Sequence, residues 1–346
     1  MKLKRIYTCD ACGAQHLKWQ GQCPDCGAWN ALSETRSTSR QSAQRVTHAP
    51  QVQLTRLDSL DIARVDRSSS GFDELDRVLG GGLVPGAVVL IGGDPGIGKS
   101  TLLLSSVASV SLTKRACYVT GEESLDQIAL RATRLGVAQA PVELFSETCV
   151  ESIIATLETS PPNVLIIDSI QTLYSEQLGS APGSVAQLRE CAAQLVRFAK
   201  ARDVTTVLVG HVTKEGTLAG PRVLEHMADT VLYFESDLGS RFRIIRAAKN
   251  RFGAVNELGF FVMGEEGFKE VKNPSAIFLA RRENPVPGSV TLVTRESSRS
   301  LLVEVQALIN TNPGASPRRL TQGLDGQRLA MLLAVLHRHS GESFAG

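Results

Sequence analysis

A chain of 346 residues has room for one large domain with smaller attachments, and its 42% hydrophobic and 21% charged content is ordinary for a globular protein. The net charge of +2 excludes a chain-wide cationic field for nucleic acid, so any such surface must be local. No apolar run approaches the ~20 residues that cross a bilayer, and the first residues lack a signal-peptide core, so the expected place is the cytoplasm, where seven cysteines are not a disulfide framework.

Residues 1–32 read as a small metal module. Cys9-Asp-Ala-Cys12 and Cys23-Pro-Asp-Cys26 are two C-x-x-C knuckles, each followed by a glycine, Gly13 and Gly27. Four thiolates at this spacing make a closed tetrahedral Zn²⁺ site with a structural role. Such a short unit has almost no core and is expected to bury Tyr7, Leu17, Trp19 and Trp29, so the metal would supply most of its folding free energy. Residues 33–55 turn to Ser, Thr, Gln and Arg and read as a flexible linker. Residues 1–56 carry eight Lys/Arg against three Asp/Glu, which makes the module a candidate nucleic-acid contact or protein-docking unit. Cys117, Cys149 and Cys191 are scattered and suit small buried apolar positions.

Residues 56–272 alternate strand-like and helix-like runs, as in an α/β domain with a parallel sheet covered on both faces. The informative stretch is Gly93-Asp94-Pro95-Gly96-Ile97-Gly98-Lys99-Ser100-Thr101, which fits the phosphate-loop pattern G-x-x-x-x-G-K-[ST]. Val88 to Ile91 form a buried strand before it, and Leu102, Leu103, Leu104 and Val107 recur at helical spacing after it. That context favours a nucleotide cradle over a Gly-rich turn with an incidental lysine. Backbone N–H groups and the helix N-terminus would close on phosphate oxygens, Lys99 would reach the β- and γ-phosphates, and Ser100 would hold Mg²⁺.

Further strands are expected at Ala116–Val119, Val142–Phe145, Val164–Ile167, Val204–Val209 and Val231–Phe234. Arg243–Ala247 and Phe260–Met263 would be added at an edge. Asp168 ends one of these strands, where a carboxylate can orient Mg²⁺ beside Ser100. Glu122 and Glu123 follow another; adjacent side chains diverge, so one of them faces the nucleotide, and Glu123 better suits the start of the next helix. His211 ends a third, either as a γ-phosphate sensor or as a satisfied structural histidine. Ser175–Gly183 and Thr213–Pro221 are candidate mobile loops. Arg241, Arg243, Arg246, Lys249 and Arg251 form a cationic run, either a solvated edge strand or a donor of charge to phosphate. Beyond residue 273 the chain looks like the incomplete opening of another domain, with a strand-like run ending at Ile309 and a helix-like stretch from Arg328 to His337.

In this order, the four-cysteine module, Gly93–Ser100, Thr120-Gly-Glu-Glu-Ser124, Asp168-Ser-Ile-Gln171, His211-Val-Thr-Lys-Glu-Gly216 and Lys249-Asn-Arg-Phe-Gly253 resemble the RadA (Sms) family of bacterial DNA repair proteins. The resemblance covers essentially the whole chain. It implies a RecA-like P-loop ATPase core, ATP as substrate, a hexameric ring, and binding of single-stranded and branched DNA alongside the RecA recombinase. It also implies that residues 273–346 begin a Lon-protease-like domain. It gives Glu122 the water-activating role and His211 the sensing role, and related helicases set residues like Lys249 and Arg251 on a neighbouring subunit's γ-phosphate. The resulting expectation is an ATP-dependent motor for branch migration. The rival is a regulatory RecA-like ATPase that scaffolds proteins without translocating.

Overall fold

The computed structural model describes residues 5–9, 13–36, 56, 66–211, 223–236, 241–279, 286–309 and 319–341. The chain clusters into two compact units, Met1–Pro274 with Arg295–Ser300, and Ser275–Thr294 with Leu301–Gly346.

In the first unit, β1 (Arg5–Cys9), β2 (Gln15–His16) and β3 (Leu32–Arg36) form a small antiparallel sheet in the order β2-β1-β3. Among the described residues its apolar cluster is Cys9, Cys23 and Leu32, with Tyr7, Ala14 and Ala31 packed against it. The expected burial of Leu17, Trp19 and Trp29 is overturned: they are 75%, 56% and 72% exposed, and of the four expected side chains Tyr7 alone joins the cluster. A unit of this size encloses little beyond Cys9, Cys23 and Leu32 and leaves no interior for an indole.

The large sheet follows from the sequence's apolar runs. After α1 (Asp73–Leu79) come β4 (Val88–Gly93), α2 (Lys99–Ser111), β5 (Ala116–Thr120), α3 (Leu125–Arg134), β6 (Glu143–Ser146), α4 (Val150–Glu158), β7 (Val164–Asp168), α5 (Val185–Arg202), β8 (Thr205–His211), α6 (Val223–Met227) and β9 (Thr230–Glu235). Then β10 (Phe242–Asn250), β11 (Leu258–Gly264) and β12 (Gly267–Glu270) complete nine strands in the order β12-β11-β10-β9-β4-β8-β7-β5-β6. Strands β9-β4-β8-β7-β5-β6 are parallel, and β10, β11 and β12 are antiparallel additions.

Alternation along each strand divides the core. Val89 and Ile91 face a cluster with Leu102, Leu103 and Tyr118, while Val88 and Leu90 face a second with Leu165, Leu188 and Leu195. Both faces are therefore covered, which is why the central strands read as unbroken apolar runs. Cys117, Cys149 and Cys191 are buried in this core as expected, and burial pushes the Cys117 and Cys191 thiols up to about 12. The solvated-edge reading of the cationic run does not hold: β10 lies between β9 and β11, and its charges are spaced along an interior strand.

The second unit contains α7 (Ser275–Phe278), a hairpin of β13 (Ser289–Glu296) and β14 (Arg299–Gln306) whose tip clusters with the first unit, and α8 (Gly326–Ser340). None of the residues of α8 is buried, because one hairpin and one helix cannot enclose a core. Among the described residues, no helix is long and apolar enough to cross a membrane.

Candidate functional site

Strand order brings the nucleotide candidates to one end of the parallel sheet. Strand β4 ends at Gly93, and its neighbours β8 and β7 end at His211 and Asp168. Asp168 is level with Thr120, so the turn carrying Glu122 leaves the sheet at the same end. In an open α/β sheet the carboxyl ends of the strands form the ligand crevice.

The phosphate loop runs from this end into α2. Gly98, with φ of 110°, caps the helix without a side-chain bond, and no acid lies in the first turn, so the helix N-terminus is left for an anion. A Cβ at Gly98 would stand 2.6 Å from a ring carbon of Phe268. The loop is stitched down by Arg243, whose Nε donates to the Ile97 carbonyl at 3.3 Å. Ile97 and Thr101 are buried, while Asp94, Pro95 and Gly96 form the exposed turn.

Lys99 is 4% exposed. Its Nζ donates to the carbonyls of Gly93 at 2.7 Å and Asp94 at 3.0 Å and lies 3.3 Å from His211 Nδ1. Burial lowers its pKa, opposed by Asp168, Glu122 and Asp94. An ammonium has only donors, so His211 Nδ1 must accept, which leaves the proton on Nε2. That Nε2–H faces Glu122 Oε1 at 3.1 Å, and the Ser169 hydroxyl donates to the same oxygen. The phosphate-loop lysine, the sensor candidate and the water-activating candidate thus form one directed chain. Burial alone would raise the Glu122 carboxyl, but Ser169, His211 and Lys99 hold it below its ordinary value, which keeps it ionised and open to a proton.

Glu123 turns away and pairs with Arg131, while Ser124 caps α3 in a capping box with Gln127. The two adjacent acids do diverge. Asp168 is 7% exposed and accepts a hydrogen bond from the Tyr118 hydroxyl through Oδ2. Tyr118 is buried and its pKa is raised, first by burial and then by Asp168, so it stays a donor. Among the described residues, Asp168 Oδ1 and the Ser100 hydroxyl carry no hydrogen bond, and two such oxygens suit a hard cation.

Ser175–Gly183 is less free than expected. Gln187 on α5 accepts from the Ser175 N–H at 2.7 Å and donates to the carbonyls of Ser175, Leu178 and Ser180 at 3.2, 3.1 and 3.0 Å. Glu151 adds a bond to the Ser175 hydroxyl at 2.5 Å. Thr213–Pro221 lies outside the described residues.

Lys249 and Arg251 lie at the opposite end of the sheet. Asn250 pairs with Thr230, which pairs with Val89 at the start of β4, roughly 13 Å of strand from the phosphate loop. A register shift between Ala247 and Lys249 marks a bulge. Lys249 Nζ donates to the carbonyls of Glu225 at 2.8 Å and Ala228 at 2.8 Å, at the C-terminal end of α6. Burial and Arg251 lower its pKa. Asn250 Nδ2 donates to the Val78 carbonyl at 3.2 Å, and Arg67 Nη2 donates to the Phe252 carbonyl at 2.8 Å. A Cβ at Gly253 would stand 2.7 Å from the Gly80 Cα, so two backbones meet here. Arg251 Nη1 donates to Asp229 Oδ1 at 3.0 Å, with its side chain 59% exposed. Sequence reasoning gave no role to Tyr118, Ser169, Arg67 and Asp229: Tyr118 sits within an expected strand and Ser169 within the Asp168–Gln171 stretch, while Arg67 and Asp229 are lone polar residues outside any spaced motif.

In the small module, the sulfurs of Cys9, Cys23 and Cys26 all lie within 4.8 Å of one another, with Cys9 and Cys26 at 3.7 Å. Sulfurs around a tetrahedral zinc with ~2.3 Å bonds stand about 3.8 Å apart, so the set fits the ion. Cys12 lies outside the described residues. His16 Nε2 is 3.7 Å from Cys23 Sγ and 3.3 Å from Asp25, so it can support the sulfur from outside.

Comparison with known proteins agrees with both halves of this picture. A family model described as an AAA domain matches residues 53–217, and one described as a rubredoxin metal binding domain matches residues 7–34. The DNA repair protein RadA of Pseudomonas aeruginosa is 58% identical over 342 residues, which is 98% of this chain and 76% of that protein. RadA of Escherichia coli K12 is 49% identical, covering 99% of this chain and 76% of that one. A solved DnaB-like replicative helicase, studied with primase, matches at a TM-score of 0.53 and 16% identity, over 60% of this chain and 62% of the helicase chain. It shares the α/β fold of a RecA-like ATPase core.

Proposed function

The chain belongs to the DNA repair protein RadA family, and on that premise we propose that this ATP-hydrolysing protein forms a homo-hexameric ring, binds single-stranded DNA and drives branch migration of recombination intermediates alongside RecA. The observation that carries the reading is the separation of two charged sets along one sheet. Lys99, Glu122, Asp168 and His211 gather at the carboxyl ends of the parallel strands, whereas Lys249 and Arg251 stand at the amino end of β4. A subunit's own cations at that end cannot reach its own phosphate loop, so a neighbour's nucleotide is their phosphate partner.

In this reading residues 93–101 bind the ATP phosphates, and Lys99 exchanges its carbonyl partners for phosphate oxygens. Glu122 takes the proton of the attacking water, and His211, lying between Lys99 and Glu122, senses whether the γ-phosphate is present. Ser100 and Asp168 would hold Mg²⁺, which when bound offsets phosphate charge. Tyr118 orients the Asp168 carboxylate. Arg251 offers a planar fork to the developing charge on the next subunit's γ-phosphate, with Lys249 beside it. Cys9, Cys12, Cys23 and Cys26 hold Zn²⁺ and keep the ribbon folded.

The test mixes Arg251→Ala with Lys99→Ala and follows ATP turnover with and without single-stranded DNA. Arg251→Ala alone should lose roughly 10³–10⁵-fold in turnover while still binding ATP. Mixed rings contain interfaces with an intact loop and an intact finger, so part of the activity should return. If the subunits exchange and none returns, the trans arrangement is wrong. If single-stranded DNA leaves turnover of the unaltered protein unchanged, the protein is a scaffold rather than a motor.

A further inference from the structure

Asp229 belongs to no motif, yet its carboxylate is engaged on both oxygens at the amino end of the sheet. Its side chain is 3% exposed. Oδ2 accepts from the Val88 N–H at 3.0 Å and from Lys200 Nζ at 2.5 Å, and Oδ1 accepts from Arg251 Nη1 at 3.0 Å. The backbone repeats the same two links. The Asp229 N–H donates to the Val88 carbonyl at 2.8 Å, and the Arg251 N–H donates to the Asp229 carbonyl at 3.1 Å. Asp229 therefore grips Val88, the first residue of β4, twice, and Arg251 twice.

A buried carboxylate needs a compensating charge, and Lys200 with the Val88 N–H already supplies one with a hydrogen bond. Burial alone would raise the Asp229 carboxyl; Lys200, Val88 and Arg251 together lower it. The second cation is thus surplus to the needs of burial, and its contact does something else. One arm of the guanidinium is fixed. Among the described residues the rest of the fork has no hydrogen-bond partner, and the side chain is 59% exposed. A flexible side chain anchored at one nitrogen keeps its remaining donors aimed in one direction, which lowers the entropy lost when they meet a phosphate.

We propose that Asp229 is a positioning residue that holds Arg251 in register with β4 and presents the free side of its guanidinium to the nucleotide of the adjoining subunit. The proposal rests on the trans-finger reading above. It predicts that Asp229 and Arg251 belong to one functional unit, on the donor side of the interface. The alternative is that Asp229 acts on its own subunit's phosphate loop through β4.

Mixed oligomers separate these. In Asp229→Asn the amide can still accept from Val88 but turns a donor toward Arg251. Turnover should fall by about ten- to a hundredfold, a typical loss for a misplaced group. Mixing with Lys99→Ala, whose finger is intact, should restore activity. Mixing with Arg251→Ala should restore none, since both then present a defective finger. Asp229→Glu, which keeps the charge one methylene out of place, should repeat the pattern with a milder loss and covers the case in which the Asn variant fails to assemble. Restoration by Arg251→Ala instead of Lys99→Ala, restoration by neither, or turnover within about twofold of the unaltered protein would each overturn the proposal. The mixture of Lys99→Ala with Arg251→Ala is the reference. If that mixture stays inactive, the trans reading falls and takes this proposal with it; if it recovers and only the Asp229 mixture fails, the fault lies with Asp229 alone.

Discussion

The two ends of the central sheet hold their cations in different ways. At the carboxyl end Lys99 is buried and rests on two backbone carbonyls and a neutral histidine, all of which can be exchanged for phosphate without leaving a charge unpaired. At the amino end Arg251 is largely exposed and is tied by one nitrogen to a buried carboxylate that Lys200 and the Val88 N–H hold in place from the other side. The first arrangement suits a group that must change partners during each cycle. The second suits a group that must stay aimed.

Removing the base at the carboxyl end should have the largest effect. Glu122→Gln leaves the size of the side chain and a hydrogen-bonding oxygen for Ser169 but cannot take a proton. Turnover should fall by roughly 10²–10⁴-fold, the usual worth of a general base, with ATP binding retained in a fluorescent-nucleotide titration. Loss within threefold would move the base elsewhere and dissolve the contrast between an exchanging end and a fixed one.

A matched pair of glycine substitutions probes rigidity. A Cβ at Gly98 meets the end of the Phe268 side chain at 2.6 Å, whereas at Gly253 it meets the Gly80 backbone at 2.7 Å, and backbone gives way less readily than a side chain. Gly253→Ala should therefore reach the upper part of the ~1–3 kcal/mol range for overpacking and displace the Arg251 segment. Gly98→Ala, at a φ of 110°, should weaken nucleotide binding more than stability. Thermal melts and nucleotide titrations on both variants read this out, and equal melting losses would remove the difference in rigidity.

The smallest effect concerns Glu151, which fastens the loop after β7 at the carboxyl end. Burial would raise its carboxyl, but the Ser175 hydroxyl and the Gln194 amide lead the interactions that bring it down to about 2, from an ordinary 4.5. A depressed carboxylate adds stability that is fully present above its ordinary value and is lost as pH falls toward its folded value. Allowing for its partial exposure, Glu151→Gln should cost about 1–2 kcal/mol at neutral pH. The gap between variant and parent melting curves should close between about pH 4.5 and pH 2. A gap that stays constant across that range would mean the carboxylate charge does not secure the loop.

Much of this molecule was legible in its sequence because its signals are local. The phosphate loop, the strand before it and the helix after it are contiguous, and the strand expectations fall within one or two residues of β5 to β9. The four-cysteine spacing specified a metal unit, and three of its sulfurs converge. The segment at Ser175 could not be judged so well, since it is fastened by Gln187 and Glu151, two residues with no local signature. The burial expected for Trp19 and Trp29 failed for a related reason: hydrophobicity is a property of the residue, but burial needs enclosing volume.

By itself the sequence determined which residue types could do the chemistry and which elements would carry them. Hydrophobic periodicity and turn chemistry act over a few residues, so a single chain can be read for them. Only the tertiary structure decided that Lys99, His211 and Glu122 form one directed chain, that the cationic run lies inside the sheet, and that Asp229 joins Arg251 to the start of the phosphate-loop strand. Those contacts join residues up to about 140 positions apart, and the order of strands in the sheet, which no local preference encodes, sets them side by side.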